Sequence, residues 1–400
     1  MTLQVFEHQK IRIGKNLSQQ QWQALVGFAQ QNSERYFKIL HNGIQFSNYV
    51  GALQVGDWTI EILPKIDEAG DANVQKVLLD MLRECRLLRA ESATTAALRD
   101  QKGTLLDIYL EDFFNEVERL LREGLTRTYL SERTNRRVLK GKLLLPAQIQ
   151  KNLLHPERFF TETLEFSEAH PFNRLIYSAL LMLKTFPLAG YLASKLQQLL
   201  ALFPTLEAWK SPLPLLEDLR FNRQAVRYKK ALQTALLILQ QVQPDIQAGR
   251  LPVLAILLDM NRLFEEFIFR QLQKAATGNR MVKRQVPKPF WNRRPLQPDI
   301  LLSIDNQNIV IDTKWKKLQK VSPSMEDLRQ MYVYNQYFEA KHSVLVYPKV
   351  GNLEDLPPTP FQPTKEEGSE IYFCEVRLVE LVREGRLNTK LGADLLKKIL

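Results

Sequence analysis

Two short apolar runs in the last third of the chain, residues 300–304 and 309–311, flank a polar segment at 305–308. That segment reads Asp-Asn-Gln-Asn, and Asp and Asn tolerate the positive φ that tight hairpin turns demand. The pattern therefore predicts two antiparallel strands joined by a turn centred between Asp305 and Asn306. This hairpin constrains the chain more than any other feature, because its register decides which side chains share a face of the sheet.

The predicted hairpin gathers charged side chains at its open end. Residues placed symmetrically about the turn face each other, so Asp299 lies opposite Asp312, with Cβ atoms roughly 4.5–5.5 Å apart. Because side chains alternate between the faces of a strand, Lys314 shares the face of Asp312. Adjacent carboxylates repel each other unless a cation lies between them, and their oxygens favour Mg²⁺ or Mn²⁺.

A divalent cation with a nearby lysine suits phosphodiester hydrolysis, in which Lys314 would orient water or neutralise developing charge. The ordinary interpretation is a solvent-facing hairpin with an Asp–Lys surface pair. The preceding Pro298 and the apolar strands favour the metal site.

The same residues carry a family resemblance. Pro298-Asp299 followed by Asp312-Thr313-Lys314 resembles the PD-(D/E)xK nuclease signature. The segment Ile-Asp-Thr-Lys-Trp-Lys at 311–316, together with Glu-Ile-Leu-Pro-Lys-Ile at 61–66, is similar to the McrC family, the nuclease subunit of modification-dependent McrBC-type restriction systems. The resemblance implies a magnesium- or manganese-dependent endonuclease that cuts double-stranded DNA and has an McrB-like AAA+ GTPase ring as its partner.

The resemblance also implies an acidic residue on the helix before the hairpin. This position corresponds to Glu265, which would complete the metal site and orient the attacking water, with Glu266 as the alternative. On a helix, Glu265 shares a face with apolar residues and points toward the core. Glu266 shares a face with Arg262 and Arg270, which predicts an ion-pair ladder on the solvent side.

The helix after the hairpin carries Gln330 and Tyr334, four residues apart and therefore one above the other. Their spacing resembles the Gln-x-x-x-Tyr helix of RecB-like nucleases, which lies against the active site and DNA. An equal alternative is that Tyr334 packs in the core and Gln330 lies on the surface.

Positive charge concentrates around the hairpin. From 280 to 320 there are ten Lys or Arg residues and three acids, of which two are Asp299 and Asp312. This excess predicts contacts to DNA phosphates, and Trp291 and Trp315 would add aromatic contact. A solvated basic rim is the ordinary alternative. The predicted DNA contacts are Arg293, Arg294, Lys316, Lys317, Gln330 and Tyr334.

The N-terminal stretch at 61–66 is, by the resemblance, the part that contacts the GTPase partner, with Glu61 and Lys65 as candidate contacts. The residues alone favour a small sheet that ends at a proline, with both side chains merely exposed. A second basic stretch at 133–142 is interpreted as a phosphate-contacting loop, an arm toward the partner or a solvated connector.

Composition narrows the class of protein. The hydrophobic fraction of 45% and charged fraction of 25% are ordinary for a globular chain, and a net charge of +11 suits a polyanionic partner. No apolar run is long enough to cross a membrane, the first residues look like a strand, and two cysteines offer no zinc or disulfide pattern. We therefore expect a cytoplasmic protein with no membrane contact. The chain also lacks a Gly-x-x-x-x-Gly-Lys-Ser/Thr loop, so nucleotide hydrolysis is expected of the partner.

Four hundred residues predict more than one domain. We expect a multidomain α/β and α+β chain with a β-rich N-terminal domain at 1–70, a helical middle domain at 71–248 and a PD-(D/E)xK domain of restriction-endonuclease-like α/β/α fold at 249–400. A hinge is predicted at 247–250. Among the individual elements we predict a strand at 3–13 and helices at 18–31, 105–130 and 254–276.

Two other functions remain open at this point. The first is a non-cleaving activator that docks on the AAA+ ring through residues 1–70. The second is a RecB-like repair exonuclease without a GTPase partner. The intact Asp299, Asp312 and Lys314 set argues against the first. A neighbouring AAA+ GTPase gene would argue against the second.

Overall fold

The computed structural model describes residues 2–66, 71–88, 103–211, 213–214, 219–223, 225–243, 251–305, 307–318, 320–362 and 371–400. The predicted hinge at 247–250 and turn residue Asn306 lie outside these ranges. The chain is mixed α/β and divides into two compact units. None of the described helices combines the length and apolar character needed to cross a bilayer.

The two units group the chain differently from the three predicted segments, whose boundaries stay a prediction. Unit 1 contains Met1–Leu53, Thr59–Leu105 and Leu257–Leu400, and unit 2 contains Gln54–Trp58 and Leu106–Ile256. Most of the N-terminal segment therefore shares one compact unit with the predicted nuclease segment.

The N-terminal part of unit 1 combines short strands with one well-capped helix. Its elements are β1 (Thr2–Phe6), β2 (Lys10–Arg12), α1 (Gln19–Gln31), β3 (Phe37–Leu40), β4 (Gly43–Phe46), β5 (Tyr49–Val55), β6 (Trp58–Leu63) and α2 (Asp71–Glu84). β1 pairs in parallel with β6, and β4 lies between β2 and β3. Ser18 caps the predicted helix α1 in a capping box with Gln21. The single strand predicted at 3–13 is wrong, because His8 adopts a positive φ of 63° and turns the chain between β1 and β2.

Unit 2 is not purely helical. Its elements are α3 (Leu105–Glu123), β7 (Thr128–Arg136), β8 (Lys142–Leu143), α4 (Leu145–Asn152), β9 (Phe159–Ser167), α5 (Pro171–Leu183), α6 (Gly190–Leu202), a short 3₁₀ helix (Ala225–Tyr228), α7 (Lys229–Gln240), β10 (Val242–Gln243) and β11 (Val253–Asp259). The helix predicted at 105–130 ends at Glu123, since Gly124 has a φ of 84° and β7 follows. β7 and β8 both pair antiparallel with β9, so part of the basic stretch is strand.

The C-terminal part of unit 1 contains a six-stranded sheet between helices. Its elements are α8 (Met260–Ala275), β12 (Arg280–Arg284), β13 (Lys288–Trp291), β14 (Arg294–Leu296), β15 (Ile300–Ile304), β16 (Gln307–Thr313), α9 (Met325–Tyr337), β17 (His342–Pro348), β18 (Leu356–Pro360), β19 (Phe373–Val379), β20 (Val382–Arg383), β21 (Arg386–Leu387) and α10 (Leu391–Ile399). The strand order is β12-β15-β16-β17-β19-β18, with β16, β17 and β19 parallel. α8 packs against β12 and β16, and α9 packs against β16, β17 and β19.

The helix predicted at 254–276 is wrong in its first turns. The apolar run before Asp259 forms the buried strand β11, and short apolar runs cannot be assigned to strand or helix by periodicity alone. Asp259 then caps α8, because its carboxylate accepts a hydrogen bond of 2.9 Å from the backbone N–H of Asn261.

The predicted hairpin register is confirmed. β15 pairs antiparallel with β16 so that Ile300 faces Ile311, the register obtained by centring the turn between residues 305 and 306. Asp305 adopts the positive φ, 47°, that the turn demands. On one face, Leu301 and Val310 pack against side chains of α9, which include Met331, Tyr334 and Phe338. This packing places α9 over the face that also carries Asp312.

Gly392→Ala is expected to destabilise the protein by about 1–3 kcal/mol, because a Cβ at Gly392 in α10 would lie 2.0 Å from the backbone oxygen of Gln271 in α8. Equilibrium urea unfolding measures the loss. Gly190→Ala is the matched control, since Gly190 also lies in a helix but has nothing within 4 Å of its Cβ position. Equal free energies of unfolding for the two variants would contradict the close contact between α8 and α10.

Candidate active site

Asp312 lies near the end of β16 and is 3% exposed. Its Oδ2 lies 2.7 Å from the Lys314 ammonium, and its Oδ1 accepts a hydrogen bond of 3.4 Å from Gln330 Nε2. Oδ2 has no aligned hydrogen-bond donor among the described residues, so the contact with Lys314 is an ion pair with poor hydrogen-bond geometry. The predicted Asp–Lys pair is therefore buried and is not a surface pair.

The Lys314 ammonium lies among three acceptors. Besides Asp312 Oδ2, these are Gln330 Oε1 at 3.0 Å and Asp327 Oδ1 at 3.6 Å. Burial by itself lowers the pKa of Lys314, but the surrounding carboxylates, chiefly Asp312, outweigh it and raise the pKa above its ordinary value. Lys314 is thus a fixed cation at neutral pH.

Asp299 lies directly before β15 and reaches across the hairpin. Its Oδ2 accepts hydrogen bonds from the backbone N–H of Thr313 at 2.7 Å and from Thr313 Oγ1 at 2.8 Å. Burial raises the pKa of Asp299, against the hydrogen bonds from Thr313 and the charge of Lys314. Burial and then the charge of Asp299 raise the pKa of Asp312 to about 7. The two carboxylates are therefore electrostatic neighbours, as the register predicts.

This pair of carboxylates fits a divalent cation. Hard carboxylate oxygens suit Mg²⁺ or Mn²⁺, and Mg²⁺ commonly takes only one or two protein carboxylates. Asp312 Oδ2 lacks an aligned donor, and each negative charge in the pair is disfavoured by burial. Within the described ranges, no group of three or more His, Cys, Asp or Glu side chains has metal-binding geometry. The donors at hand are thus Asp299 and Asp312, and metal binding by Glu265 stays a prediction.

Glu265 and Glu266 are both buried on α8, at 7% and 9% exposed. Glu265 Oε1 accepts a hydrogen bond of 2.8 Å from Gln285 Nε2 and lies 3.4 Å from Arg284 Nε. Burial, followed by the charge of Asp299, raises the pKa of Glu265. Glu265 therefore lies within electrostatic range of the site.

The solvent-side position predicted for Glu266 is wrong. Its ion pair with Arg270, 2.7 Å, is confirmed. However, Arg284 of β12 also pairs with Glu266 and covers it, while Arg262 remains exposed. Helical spacing within α8 could not predict this partner, because Arg284 lies on the following strand.

The helix α9 brings Gln330 and Tyr334 to the site. Gln330 contacts both Asp312 and Lys314, and its Nε2 donates to the Tyr334 hydroxyl at 3.0 Å. That hydroxyl donates to the backbone oxygen of Gln297 at 3.1 Å, and Tyr334 is 5% exposed. Both sequence interpretations hold in part, because Tyr334 is a core residue and Gln330 touches the site.

Asp327 is a site residue that the sequence interpretation missed. It lies 2.7 Å from the Lys316 ammonium, and Tyr347 donates a hydrogen bond of 3.2 Å to it. Burial raises the pKa of Asp327, but hydrogen bonds with Lys316 and Ser324 and the charge of Lys314 more than offset this effect and lower the pKa to about 2. Its position three residues before Gln330 on α9, hence on the same helix face, is the signal that could have found it.

The four cationic residues predicted to contact DNA lie either at the β13–β14 turn or in the loop after β16. Arg293 and Arg294 lie exposed at the β13–β14 turn, where the Arg294 guanidinium is 5.8 Å from the ring of Trp291. Lys316 is paired with Asp327 and remains half-exposed. Lys317 is half-buried. Trp315 differs from its expected role, because its indole donates to Glu7 rather than facing an open surface.

The two predicted partner contacts lie in different environments. Glu61 is 1% exposed and accepts hydrogen bonds from Gln4, Gln75 and the backbone N–H of Leu105. The expectation that its carboxylate is exposed is wrong, since β1 and α2 cover it. Lys65 is exposed and stays a predicted contact.

Comparisons with known proteins agree with this architecture. The sequence profile of the McrBC 5-methylcytosine restriction system component matches residues 44–348. Comparison with curated proteins gives no match. Among solved structures, the chain is similar to a chain of the refined half-complex from the tetradecameric assembly of Thermococcus gammatolerans McrB AAA+ hexamers with bound McrC, with 20% identity, a TM-score of 0.64 and 100% of both chains covered. A chain of the cryo-EM structure of the Thermococcus gammatolerans McrBC complex has 21% identity and a TM-score of 0.50, with 69% of this chain and 88% of that chain covered.

Asp312→Asn is expected to stabilise the metal-free protein increasingly as pH rises. An unfolded aspartate has a pKa of about 3.9, whereas burial and Asp299 raise that of folded Asp312 to about 7. The stability contributed by protonated Asp312 is therefore complete below about pH 4 and lost as pH rises through about 7. The variant should gain about 1.4 kcal/mol for each unit between the two pKa values, and the attraction of Lys314 is already included in the folded pKa of Asp312.

Urea unfolding with a chelator at pH 4, 6 and 8 checks this expectation. Asp305→Asn, the same substitution at the exposed turn of the same hairpin, should show no such trend. A difference between Asp312→Asn and wild type that does not change with pH would contradict the raised pKa.

Proposed function

Because the chain belongs to the McrBC family of restriction-system components, we propose that it is the DNA-cleaving subunit of such a system, as its resemblance to McrC suggests. The observation that carries this proposal is the convergence of Asp299, Asp312 and Lys314 at the end of one buried hairpin. Their order and spacing match the PD-(D/E)xK signature, so we assign the C-terminal segment to that nuclease class. The reaction is hydrolysis of a phosphodiester bond in double-stranded DNA.

Asp299 and Asp312 would hold Mg²⁺ or Mn²⁺. When bound, such a cation polarises a phosphoryl oxygen and lowers the pKa of water. Lys314 contributes positive charge where the scissile phosphate gains negative charge, and its raised pKa keeps it protonated for this task. Gln330 holds the ammonium in place by accepting a hydrogen bond of 3.0 Å. Glu265, whose pKa is raised by burial and by the charge of Asp299, would orient the attacking water.

DNA would reach the site along the exposed β13–β14 hairpin. Arg293 and Arg294 lie at its tip, and the chain runs from this hairpin directly into Asp299. Trp291 is 64% exposed beside Arg294, which suits backbone contact with aromatic support. Lys316 and Lys317 extend the cationic surface beyond Lys314.

We propose an McrB-like AAA+ GTPase ring as the partner, because the matched half-complex holds McrB AAA+ hexamers with bound McrC. The surface best suited to it is the three-stranded sheet of β7, β8 and β9. There Tyr129, Leu164 and Phe166 are 68%, 72% and 57% exposed on one face, with the Tyr129 and Phe166 rings 4.9 Å apart. An apolar patch of this kind marks a protein interaction site. This assignment replaces Glu61 as the partner contact and leaves Lys65 as a further candidate.

Asp312→Asn and Lys314→Ala are each expected to lower DNA cleavage by about 10²-fold or more, because each removes charge that acts on the reacting phosphate. The measurement is cutting of a plasmid that carries 5-methylcytosine, with Mg²⁺, GTP and the McrB-like partner. Asp305→Asn should cut like wild type, and co-elution with the partner ring should be unchanged in all three variants. Cleavage by Asp312→Asn at the wild-type rate would remove the nuclease assignment.

The same assay distinguishes the proposed nuclease from the alternative of a non-cleaving activator. In that case the wild-type chain would bind the ring and stimulate GTP hydrolysis without cutting any plasmid. The intact carboxylate pair and the half-buried Lys314 beside it favour the cleaving enzyme.

Leu164→Ser and Phe166→Ser are each expected to weaken binding to the partner ring by about tenfold or more, since each loses roughly 1.5–3 kcal/mol of apolar burial in the complex. Fluorescence anisotropy with labelled chain measures the affinity. Leu202→Ser is the matched control, because Leu202 is 70% exposed in the same unit but lies in α6 rather than in the sheet. Equal affinities for all three variants would place the partner surface elsewhere.

A further inference from the structure

Glu7, directly after β1, is a buried carboxylate that links the N-terminal strands to the loop after Lys314. It is 3% exposed. Its Oε1 accepts hydrogen bonds of 2.9 Å from the backbone N–H of Lys65 and 2.9 Å from Trp315 Nε1, and its Oε2 lies 3.1 Å from the same indole nitrogen. Burial raises the pKa of Glu7, and these hydrogen bonds oppose the shift. The carboxylate thus joins three segments of unit 1 that are far apart in sequence.

Trp315 is the residue that follows Lys314, and its ring is held from two sides. One side is the hydrogen bond to Glu7. The other is Phe264 of α8, whose ring centroid lies 5.2 Å from that of Trp315. Phe264 directly precedes Glu265, so one indole contacts both the N-terminal segment and the helix that carries a proposed site residue.

Three consecutive residues of this loop are anchored on three different elements. The backbone N–H of Lys314 donates to the Val346 oxygen of β17 at 2.9 Å, and the Lys316 ammonium lies 2.7 Å from Asp327 of α9. Trp315, between them, is anchored on Glu7. The backbone from which the Lys314 side chain extends is therefore anchored directly on the sheet and, through the neighbouring Trp315, on the N-terminal segment.

The two sequence motifs at 61–66 and 311–316 meet at Glu7. Lys65 belongs to the first motif and Trp315 to the second, and the same carboxylate oxygen accepts a hydrogen bond from each. A displacement of either motif would act on the other through these bonds. Because misplacing a reacting group by about 1 Å can lower a rate by roughly 10²-fold, a small displacement at Trp315 is enough to matter.

We propose that Glu7 and Trp315 are positioning residues, whose hydrogen bond holds Lys314 in its working position and makes cleavage depend on the placement of the N-terminal segment. This inference rests on the proposed nuclease function. Neither residue touches the reacting phosphate, and each acts through the backbone at Lys314.

Trp315→Phe removes the indole N–H and keeps an aromatic ring, and Glu7→Gln keeps the shape of the side chain and removes its charge. Each is expected to lower the single-turnover rate of plasmid cleavage by about 10- to 100-fold, with the KM for DNA within about threefold of wild type. Binding to the partner ring and stimulation of its GTPase should be unchanged. A merely structural role would lower the unfolding midpoint and all activities together.

Matched controls separate positioning from general loss of stability. Trp22→Phe removes another indole N–H of unit 1, which donates to the backbone oxygen of Gly43. Glu375→Gln neutralises another fully buried carboxylate of unit 1, which pairs with Arg377. Both should change the unfolding midpoint by amounts similar to the test variants and leave the cleavage rate at the wild-type value.

The hydrogen bond itself is observed through the indole N–H resonances of the five tryptophans. The resonance lost in Trp315→Phe identifies Trp315, and Glu7→Gln should move that resonance alone to higher field. Loss of cleavage in Lys314→Ala, combined with wild-type rates in Trp315→Phe and Glu7→Gln, overturns the positioning role. Unchanged cleavage in Lys314→Ala instead overturns the proposed function.

Discussion

The burial of the Asp312 carboxylate beside Lys314 is the constraint that the surrounding structure has to meet. A carboxylate that is 3% exposed is tolerated only when charge and hydrogen bonds compensate its lost hydration. Lys314 supplies the charge at 2.7 Å, and Gln330 of α9 contacts both partners. The hairpin, the helix above it and the loop after it are therefore committed to one geometry, because each supplies a group that the pair requires.

Compensation of buried acids recurs in unit 1, and each instance joins a helix to a neighbouring strand or loop. Arg284 of β12 covers Glu265 and Glu266 of α8. Asp327 of α9 holds the lysines that follow β16. Unlike apolar packing, these contacts are directional and need specific donors. They therefore determine the orientation of the helices on the sheet as well as holding them there. The same interactions thus compensate the lost hydration of the buried carboxylates and join the elements that carry the site.

Local patterns predicted the part of the site that is local in sequence. The alternation of apolar residues and the Asp-Asn turn gave the hairpin register, and helical spacing brought Gln330 to the face of the site. The errors arise where tertiary contacts decide. Glu61 is buried because β1 pairs in parallel with β6, and Glu266 is buried because Arg284 arrives from another strand. The run before Asp259 is a strand because tertiary pairing, not periodicity, decides short apolar segments. Helical spacing could have identified Asp327 as a site residue. The contact between Glu7 and Trp315 could not be predicted in this way, because the two residues are separated by 308 positions.

The position of Glu7 also bears on which role the N-terminal segment has in this chain. A segment that served only to dock a partner would need few contacts with the elements that carry the candidate active site, yet residues 1–53 and 59–105 share a compact unit with residues 257–400. The partner-facing candidate, the exposed sheet of β7 and β9, belongs instead to unit 2. In this arrangement the N-terminal strands are structural parts of the unit that carries the candidate active site, since a carboxylate next to β1 contacts the loop after Lys314. The motifs at 61–66 and 311–316 are thereby in contact through one carboxylate, because the first supplies a backbone donor to Glu7 and the second supplies the indole donor.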